Sequence, residues 1–241
     1  MSRITPLLLA IALPWAAASS GQNLASNRIT QADVVELQWR AFREFSSNQR
    51  EKGAAVDDAA RTLNVDRIFA RLLPIAWKWF PTSSALRWEV LLTDDEGVEA
   101  RAYPSGQIVL SGPFLARFVT SDAELAFLLG HEMAHVLLEH GRRGYEAAVP
   151  LTRLSGAVDA RLIDENLKTS LALYLQLHPL LRAQESEADR LGAEIAAAAG
   201  FDQSAGAELL QRMAADGDDP PSTHDSLISR SAVLRPAMVQ R

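Results

Sequence analysis

Apolar positions at helical spacing dominate this chain, and two short stretches break the pattern. Residues 23–63 are polar and amphipathic, with Val34, Val35, Leu37, Phe42 and Phe45 spaced as one or two helices wrapping a core. Residues 65–73 continue the helical spacing until Pro74, which predicts an interruption. The period then changes. Residues 88–92 predict a strand, Pro104-Ser105-Gly106 a turn, and the run Gln107, Ile108, Val109 and Leu110 a second short strand rich in branched side chains. Together they predict a small antiparallel sheet.

Helical spacing returns in SDAELAFLLGHEMAHVLLEHG. Ser121 is the expected N-cap, Glu124 its capping-box partner, and Gly141 suits the C-cap side. Residues 153–181 read as mostly helical with a break near Pro179. RAQESEADRLGAEIAAAAG predicts a helix ending at Gly200, and DQSAGAELLQRM predicts another. DGDDPPSTH is loop chemistry. The expectation is a single mostly helical α+β domain of zincin type, spanning residues 21–241, with the sheet beside the HEMAH helix.

Composition narrows the chemistry. The 241 residues carry a formal charge of −6 and no basic run, so no nucleic-acid partner is expected. There is no cysteine, so a metal site here needs His and carboxylate ligands. The N-terminus reads as a secretory signal over residues 1–20: Arg3, an apolar stretch over residues 4–18 broken by Thr5, Pro6 and Pro14, then Ala16-Ala17-Ala18 as a cleavage site. That stretch is short of the about 20 residues a membrane span needs. The mature chain is therefore expected to be exported, periplasmic in a Gram-negative cell, and without a membrane span.

Three of the five histidines fall within residues 130–140. His131-Glu132-Met133-Ala134-His135 matches H-E-x-x-H. On a helix, positions i and i+4 differ by about 40° around the axis, so His131 and His135 share a face and both reach one tetrahedral zinc. Glu132 flanks that face, where its carboxylate reaches the water a zinc ion holds. His140, about 180° from His131 on a continuing helix, is assigned to a surface or second-helix contact. A catalytic zinc takes three protein ligands and keeps one position open. A third histidine at metzincin spacing is missing, because Gly141 stands there. Glu185 on the later helix supplies the ligand instead. Asp189, four residues on, shares its face and reaches one of the histidines to fix its tautomer. Glu187 points about 160° away and is expected to be a solvent-facing charge.

Four ordered blocks carry a family resemblance between residues 88 and 230: AYPSGQIVLSGPFLARF, SDAELAFLLGHEMAHVLLEHG, RAQESEADRLGAEIAAAAGFD and PSTHDSLISR. The chain resembles the gluzincin metallopeptidases of family forty-eight, which include HtpX, the BepA-type proteases and the CAAX prenyl endopeptidases. The resemblance implies one zinc per chain on His131, His135 and Glu185, with Glu132 as the base. It also points to His224 and Arg230 as active-site residues. Two departures stand out: Glu99-Ala100 where the family usually has Asn-Ala before the edge strand, and His224-Asp225 where it often has His-Pro.

The reaction this implies is hydrolysis of internal peptide bonds, with Glu132 as general base and then acid. His224 is either a donor to the oxyanion or a fourth ligand that blocks the site until displaced. Gln107, Ile108, Val109 and Leu110, taken as an edge strand, would pair with extended polypeptide substrates. Proteolytic quality control of envelope proteins follows from the resemblance alone; an unidentified adaptor is expected to supply targeting, because no added repeat domain for partner binding is read in the sequence. The competing expectations are a zinc-loaded, self-blocked chaperone-like or adaptor protein on the same scaffold, and an exopeptidase.

Overall fold

The computed structural model describes residues 29–152, 169–216 and 227–234. The expected signal segment, residues 1–20, and His224 lie outside them. Among the described residues, no helix is long and apolar enough to cross a membrane.

The first helix, α1 (Gln31–Glu51), opens with a capping box in which Thr30 accepts from the Asp33 N–H and Asp33 accepts from the Thr30 N–H. Its buried face, Val34, Gln38, Ala41 and Phe42, repeats at helical spacing. Phe42 meets Tyr103 edge-on, and the Gln38 amide donates to the Tyr145 hydroxyl at 3.0 Å.

The second helix, α2 (Ala59–Trp79), runs through Pro74 instead of stopping there. A later helix, α6 (Leu171–Ala198), likewise runs through Pro179. Each proline deprives the carbonyl four residues back of its donor. Pro74 and Ala70 are both exposed, as are Pro179 and Leu175, so those carbonyls sit on faces where water replaces the lost bond.

The sheet has three strands, β1 (Glu89–Thr93), β2 (Ala100–Ala102) and β3 (Gln107–Ser111), in the order β1-β3-β2. It is mixed, not antiparallel. β1 runs parallel to β3, with Leu91 opposite Val109, and β2 runs antiparallel to β3, with Arg101 opposite Val109. The β2–β3 turn needs Gly106, whose φ is +106°, and the Gly106 N–H closes it onto the Tyr103 carbonyl at 2.8 Å. All five β3 residues are buried: Ile108 and Leu110 pack into one apolar cluster and Val109 into the other, so both faces of the strand are covered. Tyr103 and Phe114, which flank this strand, are buried core residues.

A short helix, α3 (Gly112–Phe118), leads to α4 (Asp122–Leu137), the centre of the molecule. Every residue from Glu124 to Leu137 except His135 is buried. Ser121 accepts from the Glu124 N–H at 3.2 Å. The Glu124 carboxylate reaches one residue further back than a capping box requires, taking the Thr120 N–H and the Arg212 guanidinium at 2.6 and 2.8 Å. Leu138 ends α4, and Glu139 adopts the left-handed conformation (φ +54°, ψ +36°). The chain restarts as α5 (His140–Ala148). Gly141 is therefore not a cap. It lies in the first turn of α5, where a Cβ would come within 2.6 Å of the Pro104 ring.

Two glycines set the geometry of the site. A Cβ on Gly130 of α4 would lie 2.6 Å from the Gly192 carbonyl oxygen of α6, and a Cβ on Gly192 would lie 2.5 Å from the His131 nitrogen. The two backbones are in contact there, closer than side chains allow. Gly192 follows Asp189 by three residues and Glu185 by seven, so all three share one face of α6. The crossing thus presses both carboxylates against the HEMAH turn. Two further helices, α7 (Ala205–Ala215) and α8 (Leu227–Leu234), close the structure on this side.

Candidate metal centre

His131 and His135 project from one face of α4 with their Nε2 atoms 3.1 Å apart. Glu185 reaches in from α6, with one carboxylate oxygen 3.5 Å from His131 Nε2 and the other 3.5 Å from His135 Nε2. A regular tetrahedral zinc with bonds of about 2.0–2.1 Å has its ligand atoms about 3.3 Å apart. Two nitrogens and a carboxylate at these separations fit that polyhedron, and among the described residues this trio is the group placed to hold a metal ion. The charge fits as well. Glu132, Glu185 and Asp189 are buried together, with the Arg230 guanidinium between Glu185 and Asp189 and the Arg101 charge acting on Glu132. Three buried carboxyl groups in one cluster are a setting that a divalent cation stabilises.

Asp189 accepts from His131, with Nδ1 and Oδ1 3.0 Å apart. Arg230 donates to both Asp189 oxygens at 2.7 and 2.8 Å, and lies 3.3 Å from Glu185. The structure therefore brings together Glu132, His131, His135, Glu185, Asp189 and Arg230. Burial alone would raise the Asp189 pKa, but the Arg230 charge and hydrogen bonds outweigh it and hold the carboxyl well below the usual range. Burial lowers and the same partnership raises the Arg230 pKa, with a net rise. Burial also works against His131, yet the Asp189 hydrogen bond and the nearby carboxylates raise its pKa overall, so the field here favours positive charge.

Among the described residues, no guanidinium grips Glu132 as Arg230 grips Asp189. Burial pushes its pKa up to about 7, helped by the Glu185 charge and opposed by His131, Arg101 and the Ala102 N–H it accepts. A carboxyl titrating there is matched to moving protons at neutral pH.

Two expectations fail. Gln107, Ile108, Val109 and Leu110 lie in the middle strand, paired on both sides, so they offer no edge to a substrate. The sheet edges are β1, bridged at Thr93 by Ala55, and β2, which pairs on its outer side with no strand among the described residues. The bonds at Tyr103–Gln107 and Glu99–Ser111 fix the phase, so the backbone groups of Ala100 and Ala102 point away from β3. The sequence signal lay in the Glu99-Ala100 pair. Glu187 is not a free solvent charge either: it accepts from Arg143 at 2.6 Å and lies 3.2 Å from His140 Nε2. His140 is buried and turned back to His135, with the two Nδ1 atoms 2.9 Å apart. Burial drives the pKa of His135 down to about 3 and that of His140 down to about 4. His224 falls outside the described residues.

Comparison with known proteins agrees with this geometry. The chain is 32% identical over 158 residues to the mitochondrial metalloendopeptidase OMA1 of Arabidopsis thaliana, covering 64% of this chain and 32% of that protein. It is 32% identical over 193 residues to the mitochondrial metalloendopeptidase OMA1 of Bos taurus, covering 75% and 35%. It is 30% identical over 134 residues to the beta-barrel assembly-enhancing protease of Yersinia pestis, covering 51% and 27%. The chain thus spans about a third of the length of the curated relatives it matches. The pattern of peptidase family M48 matches residues 59–237, from the start of α2 past the end of α8. That span encloses the whole His-His-Glu cluster with its carboxylate and guanidinium neighbours, and the chain belongs to peptidase family M48.

Proposed function

We propose that this chain is a zinc-dependent endopeptidase acting on extended or unfolded polypeptide. The observation that carries the reading is the His131–His135–Glu185 trio, with His135 partly buried and the other two buried, at tetrahedral ligand spacing, with Glu132 on the position after His131. Zinc held there supplies Lewis-acid activation of water and polarisation of the scissile carbonyl. Glu132, one position after His131 on the same helix, would take a proton from the attacking water and pass it to the leaving nitrogen. Asp189 and Arg230 hold the His131 ring and the Glu185 carboxylate in place. The free edge of β2 aligns a substrate strand by backbone pairing at Ala100 and at the Ala102 carbonyl. Backbone pairing reads the extended state of a substrate and little of its sequence.

The biological setting is part of the same proposal. A signal-like N-terminus and the likeness to a beta-barrel assembly-enhancing protease support an exported enzyme that removes misassembled envelope proteins, in the periplasm of a Gram-negative cell, with an adaptor supplying targeting.

The test is digestion of casein by the zinc-loaded chain and its Glu132→Gln variant. Wild type should cut at internal bonds, and the variant should lose about 100-fold or more of that activity. Equal activity in the two would remove Glu132 from the mechanism. Release of single terminal residues only would replace the endopeptidase by an exopeptidase.

A further inference from the structure

The ligand trio and Glu132 leave His140 without a task, yet it is buried and held by contacts on both sides. On an uninterrupted helix, a residue five positions after His135 would point about 140° away from it. The left-handed Glu139 breaks that course. A glutamate in this conformation is uncommon and costs about 1–2 kcal/mol, a strain that persists only where the surroundings enforce it. Its result is that the His140 ring packs edge-on against the His135 ring, with centroids 4.9 Å apart. The Gln184 amide of α6 donates to the His140 carbonyl at 3.1 Å and pins the position from the other side.

We infer that His140 is a positioning residue for His135, the inner member of a hydrogen-bonded chain running His135–His140–Glu187–Arg143. This rests on the reading of His135 as a metal ligand. The protons can be assigned by elimination. If His135 ligates through Nε2, its remaining proton is on Nδ1. The His140 Nδ1, 2.9 Å away, must then accept, which places the His140 proton on Nε2. That atom lies 3.2 Å from the Glu187 carboxylate, which Arg143 grips from outside with two bonds at 2.6 and 3.4 Å. Each imidazole donates outward to the next group, and no two protons in the chain face each other.

This is the counterpart of the His131–Asp189–Arg230 arrangement, with one difference that has a physical reason. His131 leans directly on a buried carboxylate. A second buried carboxylate against His135 would add a further negative charge to a cluster that already buries three carboxyl groups. An imidazole accepts the same hydrogen bond without charge and hands it on to Glu187, whose side chain is 35% exposed and so keeps its charge partly in water. One stretch of α6 thereby serves the centre three ways: Glu185 faces the ligand nitrogens, Asp189 backs His131, and Glu187 backs His135 through His140.

The experiment measures zinc affinity of the full chain by chelator competition for wild type, His140→Phe and His140→Asn. Phenylalanine fills the same space and accepts nothing. Asparagine puts a carboxamide oxygen close to the position of Nδ1. The Phe variant should bind zinc about 10–100-fold more weakly, and the Asn variant should recover most of that loss. Long-range nitrogen–proton correlation spectra of zinc-loaded wild type should show His135 protonated at Nδ1 and His140 at Nε2. Undiminished affinity in the Phe variant overturns the inference, as does an equal loss in Phe and Asn, which marks His140 as packing only. The opposite tautomer at His140 overturns it without any variant, so a substitution that fails to fold leaves the question decidable. Wild type that takes up no zinc removes the metal site itself, an outcome distinct from a sound site with an indifferent His140.

Discussion

Replacing Glu132 with Gln keeps the shape of the side chain and removes its charge. In the metal-free protein the consequence for stability depends on pH, and the sign follows from the shift. The folded protein holds the Glu132 proton up to a pKa of about 7, against about 4.5 for an ordinary glutamate. Between those values the folded state binds more protons than the unfolded chain, so stability falls as pH rises through that window. At about 1.4 kcal/mol for each pKa unit, the ionised Glu132 costs the fold about 3 kcal/mol above pH 7. The carboxamide of the Glu132→Gln variant does not ionise and escapes this cost. Urea unfolding of the two chelator-treated proteins should therefore give similar stabilities near pH 4.5, and a gap in favour of the variant that widens to about 3 kcal/mol by about pH 7.5. The difference between the two proteins cancels the titration of groups remote from Glu132, and its coupling to His131 is part of the quantity measured. Saturating zinc should close the gap, because a dication beside the carboxylate stabilises its charged form. A gap independent of pH would refute the claim that burial sets the state of Glu132.

Other positions are tested more simply. Gly192→Ala sets a methyl 2.5 Å from a backbone nitrogen that cannot move aside, so α4 and α6 must part; it should cost about 3 kcal/mol in denaturant unfolding and weaken zinc binding with it. Gly144→Ala is the control: its Cβ meets nothing within 4 Å in a helix interior, and it should gain about 1 kcal/mol. Arg212→Ala strips a buried Glu124 of its guanidinium and should cost about 2 kcal/mol, read as a lower melting temperature with no change in zinc stoichiometry.

The features that could be read from the sequence are those fixed within one helix. The i, i+4 spacing of His131 with His135, and of Glu185 with Asp189, needs only helical geometry, and the structure keeps each pair on one face. What the sequence hid depends on contacts between elements. Strand order is one case: QIVLS reads the same whether it lies at an edge or between two partners, and only the parallel pairing with β1 makes it central. Prolines are another. Pro74 and Pro179 carry helix-breaking character, but nothing local says that their faces are open to water. His140 and Glu187 escaped for a third reason. A helical wheel assumes the helix continues, and the turn at Glu139 lacks the glycine that usually announces a left-handed residue. Once that turn is made, a histidine placed on the far side of the wheel lies against a ligand.

The account stands on Glu185 of α6 completing a site begun by His131 and His135 of α4. Elemental analysis of purified wild type and Glu185→Ala, both equilibrated with zinc and then gel-filtered, tests this most directly. The account predicts one zinc per chain in the wild type and none retained in the variant. A variant that keeps one zinc per chain would contradict it.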